Sequence, residues 1–456
     1  MKFYRVLLSI VLAFALMPVV AQDVVTYDVV AGNLATLIDA ESYTTLEDIK
    51  LTGTVDARDF YFIRDNITEV KTLDMSEATI VACEYEGISY PANTIPDNAF
   101  YVTYSDFGLR RMTTFYFPHS VEAIGEHAFY MCPVLRTTNM EQLTALHTIG
   151  AGSLSRCMRL REVTIPASVE VIGTGAFAYN VMLGKVVIAE GSRLHTLGDN
   201  AFNGSVALTS LDFSKTALVE VGAQAFNACT KLKSVLLPAS VEYVGDEAFM
   251  YSAVETVDWS HMGLLQVIEG STFYGMGALQ RVVLPHSVAE IKSSAFADCS
   301  RLEQVGLSYS LLSIGDWAFS GCSALSVITL PAPSVPSVGY RAFENVSTAN
   351  VTLKVDETIL AHYEADIDWS AFALQGVSYA HSESIVRDEA KVKRYGNECV
   401  IESLRAMTRV YVYSYDGSLL ITATADDCQA RLVIPSTTRY VVRVEYVDGT
   451  CEVIKC

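Results

Sequence analysis

A phrase returns along this chain about every 24 residues: a short apolar run, often Pro-Xaa-Ser-Val, then Ile-Gly and Ala-Phe. It reads IPASVEVIGTGAF from Ile165, LPASVEYVGDEAF from Leu237 and LPHSVAEIKSSAF from Leu284. The closing aromatic falls at Phe100, Phe129, Phe177, Phe202, Phe226, Phe249, Phe273, Phe296, Phe319 and Phe343, with Leu154 filling one slot, at spacings of 23 to 29 residues. A period of that length marks a solenoid, because no unit buries its apolar face alone and each must cover the next. Such an array offers a surface, not a chemical cleft.

Each unit has a physical grammar. In LKSVLLP, Leu232, Val235 and Leu237 are expected to face inward. Pro238 ends the strand because it has no N–H for the ladder. Val241 and Val244 begin the return path, Gly245 is expected to permit a tight turn, and Ala248-Phe249 closes the unit. The rings are expected to form a structural spine, with Phe129, Phe177, Phe202, Phe226, Phe249, Phe296 and Phe319 as its members. Some units have Ser214, Ser260 or Ser308 in place of the strand-ending Pro.

The ten cysteines do not read as a disulfide framework. Cys132, Cys157, Cys229, Cys299 and Cys322 each lie three residues after the anchor, where other units place Asn180, Ser205 and Ser252. That is a repeat slot for a small inward residue. In-register side chains stand about 4.8 Å apart, farther than the Cβ separation of about 3.8 Å in a disulfide, so free buried thiols are expected. Cys399, Cys428, Cys451 and Cys456 are less constrained, and Cys83 is left open.

The rest of the chain divides around the array. Residues 1–21 have a signal peptide's texture: Lys2 and Arg5, an apolar run, then Val19-Val20-Ala21. Without Lys2 and Arg5 the net charge of −20 becomes −22, which opposes nucleic acid and anionic membranes. No other run is long and apolar enough to insert in a membrane. Residues 22–95 are read as an N-terminal cap, with a helix from Leu34 to Ile49 and a repeat-like strand bearing Leu73 and Met75. Residues 96–350 are the repeats. Residues 351–381, with Tyr363, Trp369 and Phe372, are a closing cap. Residues 382–456 alternate strand-like runs with Asp416-Gly417 and Asp448-Gly449 turns, the signature of a small all-β sandwich.

The phrase LPxSVxxIGxxAFxxC resembles the BspA-like leucine-rich repeats of bacterial surface proteins, over Ile95 to about Asn350. AGNL at Ala31, LTGTVDARDF and LDMSEATI resemble the N-terminal segment of such proteins, and HYEADIDWSAF their closing segment. YSYDGSLL, RYVVRVEYVDG and Lys455 are similar to the sorting domain of the type IX secretion system, although the chain ends in Cys456 rather than Lys. The resemblance implies an α/β-type repeat solenoid of short strands and turns, followed by the sandwich. It also implies a secreted or surface-displayed protein of a Gram-negative bacterium, associated with the outer membrane. Some members of the family are adhesins, and it has no shared catalytic residues.

The residues present no competing chemistry. No His-Glu-Xaa-Xaa-His, CxxC, nucleophile elbow or phosphate loop occurs. His119 and His286 share a slot seven repeats apart, too far to share a metal. Asp74, Asp212 and Asp258 are outward strand positions interrupted by Val187, Leu236 and Val283, so they form no carboxylate pair of the kind glycosidases use. No catalytic residue, metal or cofactor is expected. The surface feature that stands out is aromatic: Tyr101, Tyr130, Tyr179, Tyr251 and Tyr274 follow the anchors, with Met131, Met250 and Met276 nearby. They form either a binding ridge or padding between turns. Tyr116, Val187, Leu236 and Val283 mark the strand face as the other candidate surface. Two functions follow: a binding protein for a protein or glycan, or an envelope scaffold with no ligand of its own.

Overall fold

The computed structural model describes residues 24–102 and 107–378, and beyond them the strands of a second unit. The chain divides after Val377 into two units. Residues 1–21, read above as a signal peptide, lie outside the described residues.

The first unit is a solenoid with two strand faces and a turn edge. One face carries the longer strands, from Thr72–Ile80 and Thr114–Tyr116 through Arg281–Val283 to Thr352–Asp356. The other carries two-residue strands that contain the Ile of Ile-Gly. Their ladder runs unbroken from Thr94–Ile95 to Tyr243–Val244 and again from Val267–Ile268 to Ser337–Val338. Among the described residues the pairings between successive units are parallel, Ile124 beside Ile149 and Ile149 beside Ile172, and the register shifts between Lys50 and Thr52, where Asp48–Val55 pairs with Thr72–Ile80.

The turn edge accounts for every amide near the anchor. The N–H groups two before it, at it and two after it donate to the next unit: His127 to Ala151, Phe129 to Ser153 and Met131 to Ser155, each carbonyl 2.7–3.0 Å away. The intervening N–H groups close turns within the unit, as Ala128 to Gly125, Tyr130 to His127 and Cys132 to Phe129. This geometry needs left-handed backbone two residues before and two after the anchor. His127, Asn200, Glu247 and Trp317 adopt it on one side, and Met131, Tyr179 and Asp298 on the other. Left-handed backbone costs a non-glycine residue about 1–2 kcal/mol, and the forward ladder holds it in place.

Packing repeats with the same period. The rings from Phe177 to Phe343 stack without a gap, at centroid distances of 4.9–6.1 Å. Leu154 interrupts the stack, and Phe115 and Phe117 pack on Phe129 beside it. The glycine of Ile-Gly has a different reason from the tight turn expected at Gly245. Its φ is not positive; instead a Cβ there would stand 2.5 Å from the Ala223 nitrogen of the preceding unit. Backbone approaches backbone, and only hydrogen fits between them.

The cysteine slot also asks for more than small size. The five thiols are buried and free. Cys157, Cys229, Cys299 and Cys322 donate to the anchor carbonyl of the preceding unit at 3.0–3.3 Å. Ser205 Oγ and Asn180 Nδ2 make the same bond at 3.0 Å. In these six units the slot holds a buried donor, which supplies the carbonyl's second hydrogen bond; in the same slot Ser252 Oγ is buried without a partner, and Met276 fills it with an apolar side chain. The Ser of Pro-Xaa-Ser-Val plays a parallel role, since Ser168, Ser240 and Ser287 donate 2.6–2.7 Å to carbonyls of the preceding unit.

Four strands without a terminal Pro end on another device. Asp74, Asp212 and Asp258 accept from both the N–H and the hydroxyl of the Ser two residues on, at 2.6–3.1 Å. Asp356 does the same with Thr358. The turn thus draws its fixed geometry from a side chain rather than a proline ring.

The ends differ from the array. The expected helix from Leu34 to Ile49 is only Leu34–Leu37 and a turn of 3-10 helix, Ala40–Ser42. Ile49 belongs to the strand Asp48–Val55, which alternates buried and partly exposed residues between two neighbours. The longer helix is Ala57–Asn66, opened by an Asp56–Asp59 capping box. At the far end Trp369 and Phe372 pack on Phe343 at 5.8 and 5.0 Å, with Tyr363 buried behind Trp369.

The second unit is all β. Ala390–Tyr395, Glu398–Ser403 and Gln429–Val433 form one antiparallel sheet. Leu419–Thr424, Met407–Ser414, Tyr440–Tyr446 and Cys451–Lys455 form the other. Ile401, Val410, Val412, Val442 and Val444 are buried. Asp416-Gly417, Asp448-Gly449, Cys428 and Cys456 lie outside the described residues.

Candidate functional site: the turn edge and the interrupted strand face

The tyrosines share the turn edge but occupy two different columns. Tyr101, Tyr130 and Tyr274 follow the anchor by one residue, whereas Tyr179 and Tyr251 follow by two. Tyr101 meets Tyr130 edge-on at 4.7 Å, with His127 5.2 Å from Tyr130. Tyr251 meets Tyr274 at 5.7 Å, and the Tyr274 hydroxyl bonds to Asp298, which raises its pKa. Tyr179 stands apart beneath the Arg156 guanidinium, 4.8 Å from the ring centre. The units that close at Phe202 and Phe226 place Asn203, Gly204, Asn227 and Ala228 between these groups. Met276 is buried and takes no part in the surface.

Two of these rings have a structural role. A Cβ on Gly204 would meet the Tyr179 ring at 2.7 Å, and one on Gly275 the Tyr251 ring at 2.4 Å. Each ring lies over the next unit's left-handed glycine, a pairing written in the sequence as Tyr followed by Gly one period later. Even so, Tyr179 and Tyr251 remain 43% and 48% exposed. A second aromatic group, not singled out by the sequence, lies on the same edge. Trp317 and Tyr340 pack edge-on at 5.5 Å, and Arg341 stands 5.0 Å over Tyr340.

The longer-strand face is discontinuous. Its ladder stops after Thr137–Thr138, after Lys185–Ile188 and after Ser234–Leu236, leaving Glu162–Ile165 with Lys185–Ile188 and Ser210–Asp212 with Ser234–Leu236 as isolated pairs. Side chains reinforce the face beside the breaks. Asn139, just after the last strand before the first break, binds back to the paired preceding unit, accepting from the Phe117 N–H at 2.7 Å and donating to the Phe117 carbonyl at 3.1 Å. His261 Nε2 contacts the Leu237 carbonyl at the third, at 3.0 Å.

A groove opens at each break. The first, about 250 Å³, runs between Thr137 and Thr164. The second, about 340 Å³, runs between Val187 and Asp212. The third, about 330 Å³, has Leu236 and Asp258 on its rims and Phe249 and Trp259 on its floor. Leu236 is 53% exposed, while Tyr116, Val187 and Val283 are half-buried. Hydrogen bonds from Ser214 and Ser260 hold the Asp212 and Asp258 carboxyls below the usual carboxylate range.

The remaining titratable groups are inert or scattered. Burial raises Cys132, Cys229 and Cys299 to about 12, and pushes Cys157 and Cys322 well up. Among the described residues, no three His, Cys, Asp or Glu side chains converge to hold a metal ion, and no helix is long and apolar enough to cross a membrane.

The family described as the BspA type leucine rich repeat region matches residues 74–193, 147–263 and 261–363, in 6 copies. Among solved structures the chain is similar to a leucine-rich repeat protein from Bacteroides ovatus, at 24% identity over 65% of this chain and 90% of that one, with a TM-score of 0.34. It is also similar to the pneumococcal vaccine antigen PcpA, at 17% identity over 65% and 87%, TM-score 0.41. A leucine rich cell surface protein from Faecalibacterium prausnitzii aligns at 17% identity over 68% and 87%, TM-score 0.35. No curated protein matches the sequence.

Proposed function

The chain belongs to the BspA-type leucine-rich repeat family, and from that premise we propose that it is a non-catalytic binding protein displayed on the surface of a Gram-negative cell. The solenoid engages a protein or glycan. The second unit, similar in sequence to type IX sorting domains, directs export to the outer membrane, and the first 21 residues direct passage across the inner one. The observation that carries this reading is the strand face, where three grooves open in an otherwise continuous sheet and Leu236 stands exposed on a rim. A spacer selected only for rigidity gains nothing from broken ladders or from exposed apolar side chains.

The test is protease accessibility on intact cells, with and without residues 383–456, joined to an adhesion assay. Digestion of the full chain, protection of the truncated one, and adhesion lost with the protein are expected. Protection of both forms places the protein in the periplasm and removes the adhesin. Surface display without adhesion leaves a scaffold as the better account.

A further inference from the structure

One junction in the solenoid is unlike the others. Between the units that close at Phe249 and Phe273, both ladders stop: Ser234–Leu236 does not pair with Thr256–Asp258, nor Tyr243–Val244 with Val267–Ile268. The turn edge continues, with Glu247, Phe249 and Tyr251 donating forward at 2.9–3.0 Å, and Phe249 still stacks on Phe273 at 5.7 Å. The glycine contact relaxes as well. A Cβ on Gly222 or Gly245 would strike preceding backbone at 2.4–2.5 Å, but one on Gly270 meets only the Asp246 carboxylate, at 2.9 Å, and a following carbonyl at 3.6 Å. The two units are joined along the turn edge and parted along both strand faces.

The parted walls carry the chemistry of a strand. In the neighbouring units, Phe213, Trp259 and Leu284 donate forward to Leu236, Val283 and Gly306, while the middle residue of each strand faces the following unit. The equivalent donation from Leu237 to Asp258 is missing. By the same register, Val235 and the Leu237 N–H face the groove from one wall, and Thr256 and Asp258 from the other. Among the described residues only side chains span the gap: His261 to the Leu237 carbonyl, and Lys233 to Glu255 at 3.6 Å. Leu236 stands on one rim, Asp258 lies on the other, and Trp259 is buried in the floor.

We infer that this groove is a docking site for an extended, basic segment of a partner polypeptide, which inserts as a strand between Ser234–Leu236 and Thr256–Asp258. The inference rests on the reading of the solenoid as a binding surface and names where on it the ligand sits. Backbone pairing on both walls supplies the attachment, as in other strand-addition sites. A β-branched side chain directed at the floor packs on Phe249 and Trp259. A Lys or Arg on the rim meets Asp258, on a chain whose net charge is −20. The walls present amides and carbonyls in strand register, which a polypeptide backbone matches and a sugar ring does not.

The probe is the peptide acetyl-Lys-Val-Thr-Val-Lys-Val-Thr-amide, added to the full chain and followed by amide hydrogen exchange. Exchange at Val235, Leu237, Thr256 and Asp258 is expected to slow by about tenfold or more. The same peptide N-methylated at every internal residue should give no slowing, because it lacks donors on both sides and its methyl groups keep it from either wall. Leu236→Lys, an exposed rim change that leaves the core intact, should weaken the peptide by about tenfold through repulsion and abolish adhesion of displaying cells. Four results overturn the inference: no slowing at millimolar peptide, equal binding of the methylated peptide, protection confined to the turn edge or the solenoid ends, or adhesion unaffected by Leu236→Lys. The last two leave the binding-protein reading standing. Loss of that reading is scored separately, by wild-type cells that display the protein and do not adhere.

Discussion

Gly222→Ala should destabilise this protein severely although nothing in the local conformation of Gly222 forbids a side chain. Its φ is not in the left-handed region. Were backbone freedom the only consideration, Ala would restrict the unfolded chain and stabilise the fold by about 0.4–1 kcal/mol. The neighbouring unit decides otherwise. The new Cβ would lie 2.4 Å from the Asp199 nitrogen, 2.5 Å from the Gly198 carbonyl carbon and 2.7 Å from the Asp199 carboxylate. Non-bonded heavy atoms rest at about 3.5–4.0 Å, so the units must part by about 1 Å. That parting stretches the Gly222 bond to the Leu197 carbonyl, now 2.7 Å, and the Ala223 bond to Asp199, also 2.7 Å. Overpacking costs about 1–3 kcal/mol and the two hydrogen bonds about 1 kcal/mol each, for a loss of roughly 3–5 kcal/mol. Gly277→Ala is the counterpart. A Cβ there meets nothing within 4 Å, and equivalent positions hold Val181, Thr230 and Ser300, so it should stabilise by about 0.4–1 kcal/mol. Urea unfolding followed by far-ultraviolet circular dichroism reads both. The reasoning fails if Gly222→Ala is neutral, or if the two changes have the same sign.

Three further outcomes follow from the same packing. Phe296→Ala, between rings at 4.9 and 5.0 Å, should cost about 3–5 kcal/mol, and Phe296→Leu about 1–2 kcal/mol because Leu154 shows that the slot accepts it; equal losses in urea melts would remove the stack as the cause. In the folded chain at pH 8, Cys132, Cys157, Cys229, Cys299 and Cys322 should resist a thiol reagent that labels all of them in urea, since burial holds Cys229 at about 12; mass-mapped labelling of native Cys229 would contradict the buried slot. Asp212 and Asp258 have folded pKa values below their unfolded ones. Their contribution is therefore present above pH about 3.9 and is lost as pH falls through the folded values. Asp212→Asn with Asp258→Asn should be less stable than wild type at neutral pH, and the difference should shrink below that point; a constant difference from pH 2 to 7 would refute the assignment.

The array was legible because each unit repeats one physical demand, so the anchor, the strand and the Ile-Gly step announce themselves ten times over. The reasons behind single letters were less so. Gly245 reads equally well as a turn or as a close approach, and only the position of Ala223 in the preceding unit decides. Cys, Ser and Asn share small size, and the donation that also unites them points at a carbonyl 26–28 residues away. Ile49 matched a helical spacing by coincidence, while the Asp56–Asp59 cap of the true helix was present and unread. The broken ladders had no letter to mark them, since Val235 and Val257 carry the same inward pattern as paired strands. Pairing depends on the distance between coils, which hydrophobic pattern does not encode.

The forward ladder along the turn edge gives the solenoid an electrical direction. In each unit three peptide groups point their N–H toward the next unit and their C=O toward the preceding one. Peptide dipoles of about 3.5 D aligned in this way add along the axis, so the array carries partial negative charge at its beginning and partial positive charge at its end, the reverse of an α-helix. The helix Ala57–Asn66 is suited to the negative pole: Tyr61 donates to the open Asp97 carbonyl at 3.0 Å, and beside it the cationic Arg64 guanidinium reaches the turn carbonyl of Asn98 at 3.3 Å. An array restarted at a later unit would present the same row of carbonyls and require a capping donor of its own, whatever its core. Extra units can be spliced between existing ones in the same sense, but a reversed one cannot, because its dipoles would meet its neighbours' head to head.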